Sequence, residues 1–183
     1  MFKDLLEKIA LELEKSGIPY MVIGGQAVLV HGEPRLTRDI DITLGISVEQ
    51  VGAVRDLAQN AGFRPLVDQE DFTLKTSVFP CQDAETGIRV DFIFSFTPYE
   101  KQAMQRVTFV KIGQARVRFA SSEDLIIHKM VSGRPRDVED VKSVILKSKE
   151  MDVKYIRKWL KEFAALLKLP LAAKFNALLR ESK

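Results

Sequence analysis

One cysteine in 183 residues, Cys81, excludes an intramolecular disulfide and any cysteine-rich zinc site. Two histidines, His31 and His128, leave little material for an imidazole metal centre or a histidine-based triad. No apolar run approaches the roughly 20 residues that a membrane span needs. The start, Met1-Phe2-Lys3-Asp4-Leu5-Leu6-Glu7, alternates charged and apolar residues and lacks the apolar stretch of a signal peptide. These absences predict a soluble, cytoplasmic protein with no membrane partner. What is present is 46% apolar and 29% charged residues, enough to build a sizeable core.

The net charge of +3 is unevenly spread. Residues 142–183 hold 11 Lys and Arg against 4 Asp and Glu, a balance of +7, which leaves −4 for residues 1–141. An acidic body with a basic tail suits a polyanionic partner, and equally a solvated helix face.

Hydrophobic spacing orders the chain as helix, strand, helix, strand, helix, then strands, then helices. Phe2, Leu5, Leu6, Ile9 and Leu13 recur at helical spacing, ended by Gly17 and Pro19. Tyr20–Ile23 reads as a strand stopped by Gly24-Gly25, Gln26–Val30 as a short helix, and Leu36–Leu44 as a strand. Ser47 with Gln50 predicts a capping box before a helix that closes at Gly62. Strands are predicted at 72–79, 87–96, 106–111 and 115–119, with a hairpin turn at Ile112-Gly113-Gln114 and a short helix from Pro98. Helices are predicted at 122–132, 137–148, 153–168 and from Pro170 to about 181. The expected fold class is α+β, a mixed β-sheet flanked by helices, with residues 1–149 as the catalytic domain and 150–183 as a helical extension packed on it.

The most informative stretch is Arg35-Leu36-Thr37-Arg38-Asp39-Ile40-Asp41-Ile42-Thr43. Strand side chains alternate faces, so Ile40, Ile42 and Leu44 enter a core while Asp39, Asp41 and Thr43 face the other way. Two carboxylates about 7 Å apart along a strand repel unless a cation sits between them. Oxygen-only ligands favour Mg²⁺ or Mn²⁺ over zinc. Arg89-Val90-Asp91-Phe92-Ile93-Phe94 supplies a third acid on a second apolar strand. If the two strands are neighbours, Asp91 completes a three-carboxylate cluster able to hold metal ions for phosphoryl displacement. Taken alone, the Asp39-x-Asp41 pair fits an amphipathic, solvent-facing strand just as readily.

Gly24-Gly25, between a strand and a helix, lets the backbone approach a ligand closely, and the helix N-terminus favours phosphate. Thirteen residues separate Gly25 from Asp39. The spacing Gly-Gly-(x)13-Asp-Ile-Asp-Ile with a later strand aspartate resembles the DNA polymerase beta superfamily of nucleotidyltransferases. Ile23-Gly24-Gly25-Gln26-Ala27-Val28, His31-Gly32 and Arg35–Ile42 are similar to the small bacterial and archaeal members, the minimal nucleotidyltransferases and the abortive-infection toxin enzymes. A second block agrees in order: Ala120–Met130 followed by Gly133-Arg134-Pro135-Arg136-Asp137-Val138-Glu139-Asp140-Val141. The resemblance spans about residues 18–146.

This resemblance implies a nucleotidyltransferase fold and roles for particular residues. Gly24 and Gly25 would cradle nucleotide phosphates, and Asp39 and Asp41 would bind Mg²⁺ or Mn²⁺. Asp91 would be base or metal ligand, and Lys129 would contact the triphosphate of an NTP. Many members carry Gly-Ser where this chain has Gly24-Gly25-Gln26, so a serine–phosphate contact must be replaced by backbone N–H or be absent. Arg35 and Thr37 join the candidate nucleotide contacts; Arg35 and Arg38 flank the acids and either bind phosphate or balance local charge. Asp137 and Asp140 read as helix-capping acids, His31 as structural, and Cys81 as lacking an activating partner.

The last long helix carries Ile156, Trp159, Leu160, Phe163 and Leu167 on one face and a basic row of Lys154, Arg157, Lys158, Lys161 and Lys168. The expected activity is transfer of an NMP from an NTP to a hydroxyl. An RNA end (a tRNA among the choices), a protein hydroxyl in a toxin–antitoxin pair, and a small molecule such as an aminoglycoside all fit as acceptor. The basic tail tilts the expectation toward RNA or protein. The rival is a non-catalytic, antitoxin-like module that binds a nucleotide or a partner on the same fold.

Overall fold

The computed structural model describes residues 1–67 and 70–182. Helix α1 (Phe2–Lys15) buries Leu5, Leu6, Ile9, Ala10 and Leu13. Its end is a Schellman turn: Gly17 takes φ +65°, and the Ile18 N–H reaches back to the Leu13 carbonyl at 3.0 Å. Strand β1 (Tyr20–Val22) leads into α2 (Gly24–His31), and β2 (Asp39–Leu44) follows. A 3₁₀ turn at Val48–Gln50 precedes α3 (Val51–Asn60). Then come β3 (Phe63–Pro65), α4 (Glu70–Thr76), β4 (Val78–Asp83), β5 (Arg89–Phe94) and α5 (Pro98–Ala103). The hairpin β6 (Thr108–Ile112) and β7 (Ala115–Phe119) and the helices α6 (Ser122–Ser132), α7 (Pro135–Lys147), α8 (Val153–Leu167) and α9 (Leu171–Glu181) complete the chain.

Among the described residues the strands form one mixed sheet in the order β3-β4-β5-β2-β1-β7-β6. β2 runs parallel to β5, and β1 parallel to β7; β1–β2, β3–β4, β4–β5 and β6–β7 are antiparallel. Alternation sends Ile40, Ile42 and Leu44 of β2, with Val90, Phe92 and Phe94 of β5, into the core. The fold is the expected α+β class. No helix among the described residues is long and apolar enough to cross a membrane.

The chain clusters into two compact units. The first comprises residues 1–26 and 37–119 and holds the whole sheet. The second comprises residues 27–36 and 120–182. In it α6 packs against α7 and α8, and α9 against α7 and α8, around Leu125, Ile126, Val141, Val144, Ile156, Leu160 and Phe175.

Three expectations need correction. The strand expected at 72–79 is the helix α4, followed at Val78 by β4; Phe72 and Leu74 are exposed, so their alternating apolar pattern marks no buried strand face. The Ser47–Gln50 capping box does not form, because Ser47 accepts no side-chain hydrogen bond and the first turn is 3₁₀. Leu167 leaves the buried face of α8 and is 46% exposed, one residue before Lys168 turns left-handed at φ +56° and ends the helix.

Candidate active site

The β2–β5 register is Asp39↔Arg89, Ile40↔Val90 and Asp41↔Asp91. Partners across a parallel pair share a face, so Asp39, Asp41 and Asp91 stand on one side of the sheet, opposite the apolar core. Asp41 and Asp91 are lateral neighbours about 4.8 Å apart at the backbone. All three are half-buried.

Gly24 fits against this group. Its φ is +61°, and a Cβ at this position would run into the Asp41 carboxylate. The glycine is required both by its backbone conformation and by the approach of the carboxylate. The Ile23 N–H bonds the Asp41 carbonyl at 2.9 Å, which fixes the end of β1 against β2. Gly25 is buried in the first turn of α2, and Gln26 Nε2 reaches the Asp39 carbonyl at 3.5 Å. Thr37, also buried, donates from Oγ1 to Asp39 Oδ1 at 3.2 Å.

Arg89 is the residue that sequence reasoning passed over. Its Nε donates to Asp91 Oδ1 at 2.8 Å. The hydrogen bond to Asp91 comes first, and with the charges of Asp91, Asp39 and Asp41 it outweighs partial burial and holds the guanidinium above its usual pKa. One arginine therefore answers three carboxylates. The available signal was its position two residues before Asp91, on the same strand face.

The donor chemistry fits a hard divalent cation: three carboxylates on one face beside a glycine that makes room for one of them. No three acidic, histidine or cysteine side chains among the described residues make a ready-formed cation site. Asp91 is turned to Arg89.

Arg35 and Lys129 belong to the second unit. Arg35 grips Asp140 with two bonds, Nε to Oδ1 at 2.7 Å and Nη2 to Oδ2 at 2.9 Å. Lys129 Nζ lies 2.7 Å from Asp137 Oδ1 and 2.8 Å from Asp140 Oδ2. Lys129 is 12% exposed, so it is no surface lysine. Asp137 does cap α7, accepting from the Arg134 N–H at 3.3 Å. Capping does not explain Asp140, which is spent on Arg35 and Lys129. Burial pushes its pKa up, but hydrogen bonds from Arg35 and Lys129, with their charges, bring it below the ordinary carboxylate value. Arg38 is exposed.

His31 Nε2–H donates to the Ala120 carbonyl at 2.8 Å, and burial lowers its pKa, consistent with a structural role. Cys81 is fully buried, and burial, with the Asp91 charge, pushes its thiol up to about 12. A buried Asp124 network went unread in the sequence: Tyr155 Oη donates to Asp124 Oδ1 at 2.7 Å and Ser121 Oγ to Oδ2 at 2.6 Å. It ties α8 to α6. On α8 itself Lys154, Lys158 and Lys161 are exposed, while Arg157 Nε bonds Asn176 Oδ1 at 2.8 Å.

The family model described as "Nucleotidyltransferase of unknown function" matches residues 1–180, nearly the full chain. The chain belongs to that family. Solved structures share the fold at low identity. The antibiotic-resistance factor ANT(2'')-Ia matches with a TM-score of 0.62 at 16% identity, over 91% of this chain and 94% of its own. An antigenic nucleotidyltransferase-like protein from Paracoccidioides brasiliensis matches with a TM-score of 0.59 at 17% identity, over 96% and 92%. A nucleotidyltransferase-type protein from H. pylori matches with a TM-score of 0.51 at 16% identity, over 98% and 90%. No curated protein matches the chain in sequence.

Proposed function

We propose that this nucleotidyltransferase-family chain transfers an NMP from an NTP to a hydroxyl of an RNA or protein acceptor in the cytoplasm. The observation that carries the reading is the Asp41↔Asp91 register, with Asp39 on the same face and Gly24 opened toward Asp41. Asp39, Asp41 and Asp91 are the groups that would hold Mg²⁺ or Mn²⁺, which when bound supplies charge neutralisation for the phosphates. Gly24 and Gly25, at the start of α2, offer backbone N–H groups to phosphate oxygens. Thr37 orients Asp39 through its 3.2 Å hydrogen bond. Arg35 and Lys129 enter as further nucleotide contacts, each already steadied by Asp140.

In the reaction the acceptor oxygen forms a bond to the α-phosphorus and the bond from that phosphorus to the bridging oxygen breaks. Pyrophosphate leaves, and the hydroxyl proton passes to a carboxylate, for which Asp91 is the candidate. For Asp91 to serve, Arg89 must release it. Residues 1–149 would supply this chemistry and 150–183 the helical extension.

One observation favours the non-catalytic alternative: Asp91 is already neutralised by Arg89. In that reading the fold binds a nucleotide or a toxin partner without turnover. Incubation with each labelled NTP, Mg²⁺ or Mn²⁺, and total tRNA or candidate protein acceptors separates the two. Metal-dependent label transfer supports the enzyme. Nucleotide binding without turnover in every mixture supports the alternative.

A further inference from the structure

A second feature shares the sheet face that carries the acids. Along β7, Ala115, Val117 and Phe119 are buried while Arg116 and Arg118 point to the opposite side. Phe119 pairs with Val22, and Val22 with Ile42, so the Phe119 side is the core side of β2. Arg116 and Arg118 therefore lie on the face of Asp39 and Asp41. On β6, Phe109 pairs with Arg118 and Lys111 with Arg116, which adds both to that face. From strand spacing and rise, the Arg118 backbone is about 12 Å, and that of Phe109 about 16 Å, from that of Asp41.

The chemistry of this patch is specific. Phe109 is 46% exposed. The Arg116 guanidinium lies 4.6 Å from its ring centroid and that of Arg118 5.6 Å. Lys111 and Arg116 are exposed, and among the described residues neither they nor Arg118 enters an ion pair. A cavity of about 520 Å³ is lined by Phe109, Arg116, Arg118 and Gln114, with Tyr20 and the single carboxylate Glu14 on its other walls. Charge on an edge strand guards against edge-to-edge pairing, which accounts for Lys111 on β6. It does not account for Arg116 and Arg118, which stand one strand in.

We infer that the β6–β7 face holds the single-stranded end of an RNA acceptor, with a base stacked on Phe109 and the guanidinium planes and with phosphates on Arg116, Arg118 and Lys111. An acidic protein would use the charge and leave the exposed ring without a role; a single strand uses both. Phosphate contacts and stacking fix position without reading sequence. The inference rests on the transfer reading, since it is that reading which makes a strand on this face an acceptor.

The test is fluorescence anisotropy of a labelled 12-nucleotide single-stranded RNA with the full chain, without NTP, over a salt series. Phe109→Leu keeps the apolar volume and removes the ring; it should weaken binding about 5- to 150-fold. Arg116→Gln and Arg118→Gln should each lower the log–log salt slope by about 0.7 for every phosphate the variant no longer holds. Thermal melts confirm that each variant folds, and Lys111→Gln on the edge strand is the second-line variant if one does not. The inference is overturned if the unmodified protein binds no RNA, or if folded variants bind it equally well. It is also overturned if polyaspartate displaces the RNA while Phe109→Leu changes nothing, which marks an acidic-protein surface. RNA binding that behaves as expected in a protein that transfers no NMP leaves the surface standing and removes the transfer reading. Transfer to RNA that is untouched by the three variants removes the surface alone.

Discussion

Replacing Asp140 by Asn tests whether the Arg35–Asp140–Lys129 cluster is a working part of the second unit. Asp140 is 4% exposed, and it meets Arg35 at 2.7 and 2.9 Å and Lys129 at 2.8 Å. Loss of its charge takes from Arg35 and from Lys129 the ion pair that Asp140 supplies to each, while Lys129 keeps Asp137 at 2.7 Å. Removing one partner of a buried ion pair costs about 3–5 kcal/mol. Asn still accepts one hydrogen bond and Arg35 is 21% exposed, so we expect about 2–3 kcal/mol at pH 7. The assay is urea unfolding of both proteins from pH 7 down to pH 3. The folded-state pKa of Asp140 is depressed. Its stabilisation is therefore complete above the unfolded value of about 3.9 and is lost as pH falls through the lower folded value. The gap between the two proteins should narrow below about pH 4. An unchanged gap at pH 3, or no gap at pH 7, would refute the reasoning.

Three further predictions concern residues in or against the sheet. Arg89→Gln removes the resident counter-charge, so Mn²⁺ binding followed by electron paramagnetic resonance should tighten while stability changes by about 1 kcal/mol or less, Arg89 being 54% exposed; weaker Mn²⁺ binding would place Arg89 outside the acid site. Gly24→Ala forces a side chain into a left-handed position and onto Asp41, costing about 1–2 kcal/mol in thermal unfolding and most of the transfer activity; wild-type activity would show that Asp41 needs no such space. Cys81 should resist iodoacetamide at pH 8 in the folded protein and react once urea unfolds it, as its buried thiol titrates near 12; rapid labelling of native protein would contradict that burial.

Much of the fold was legible where local chemistry is decisive. Gly17 ends α1, Gly113 at φ +56° turns the β6–β7 hairpin, and Pro98 opens α5, as the residue types require. The segment from Phe72 was misread because Phe72-Thr73-Leu74 alternates like a strand, yet α4 leaves Phe72 and Leu74 in solvent and buries Thr73. Period alone does not separate short helices from strands. The three aspartates could be placed on strand faces from alternation, but the register that sets Asp41 beside Asp91 depends on non-local pairing of β2 with β5. Lys129 and Asp140 lie on different helices, α6 and α7, and Arg35 is more than a hundred residues from its partner, so no sequence window contains that cluster. Arg89 was in plain view, two residues from Asp91, and its part emerged only when β2 and β5 were seen in register.

The most direct measurement is transfer of label from α-³²P NTPs to total tRNA or candidate protein acceptors by the unmodified chain and by Asp39→Asn and Asp41→Asn, with Mg²⁺, with Mn²⁺ and with EDTA. The account predicts label on one acceptor class only when a divalent cation is present, and loss of nearly all of it in both variants while their melting temperatures hold or rise. Transfer that survives EDTA, or that either variant retains at the unmodified rate, would contradict it.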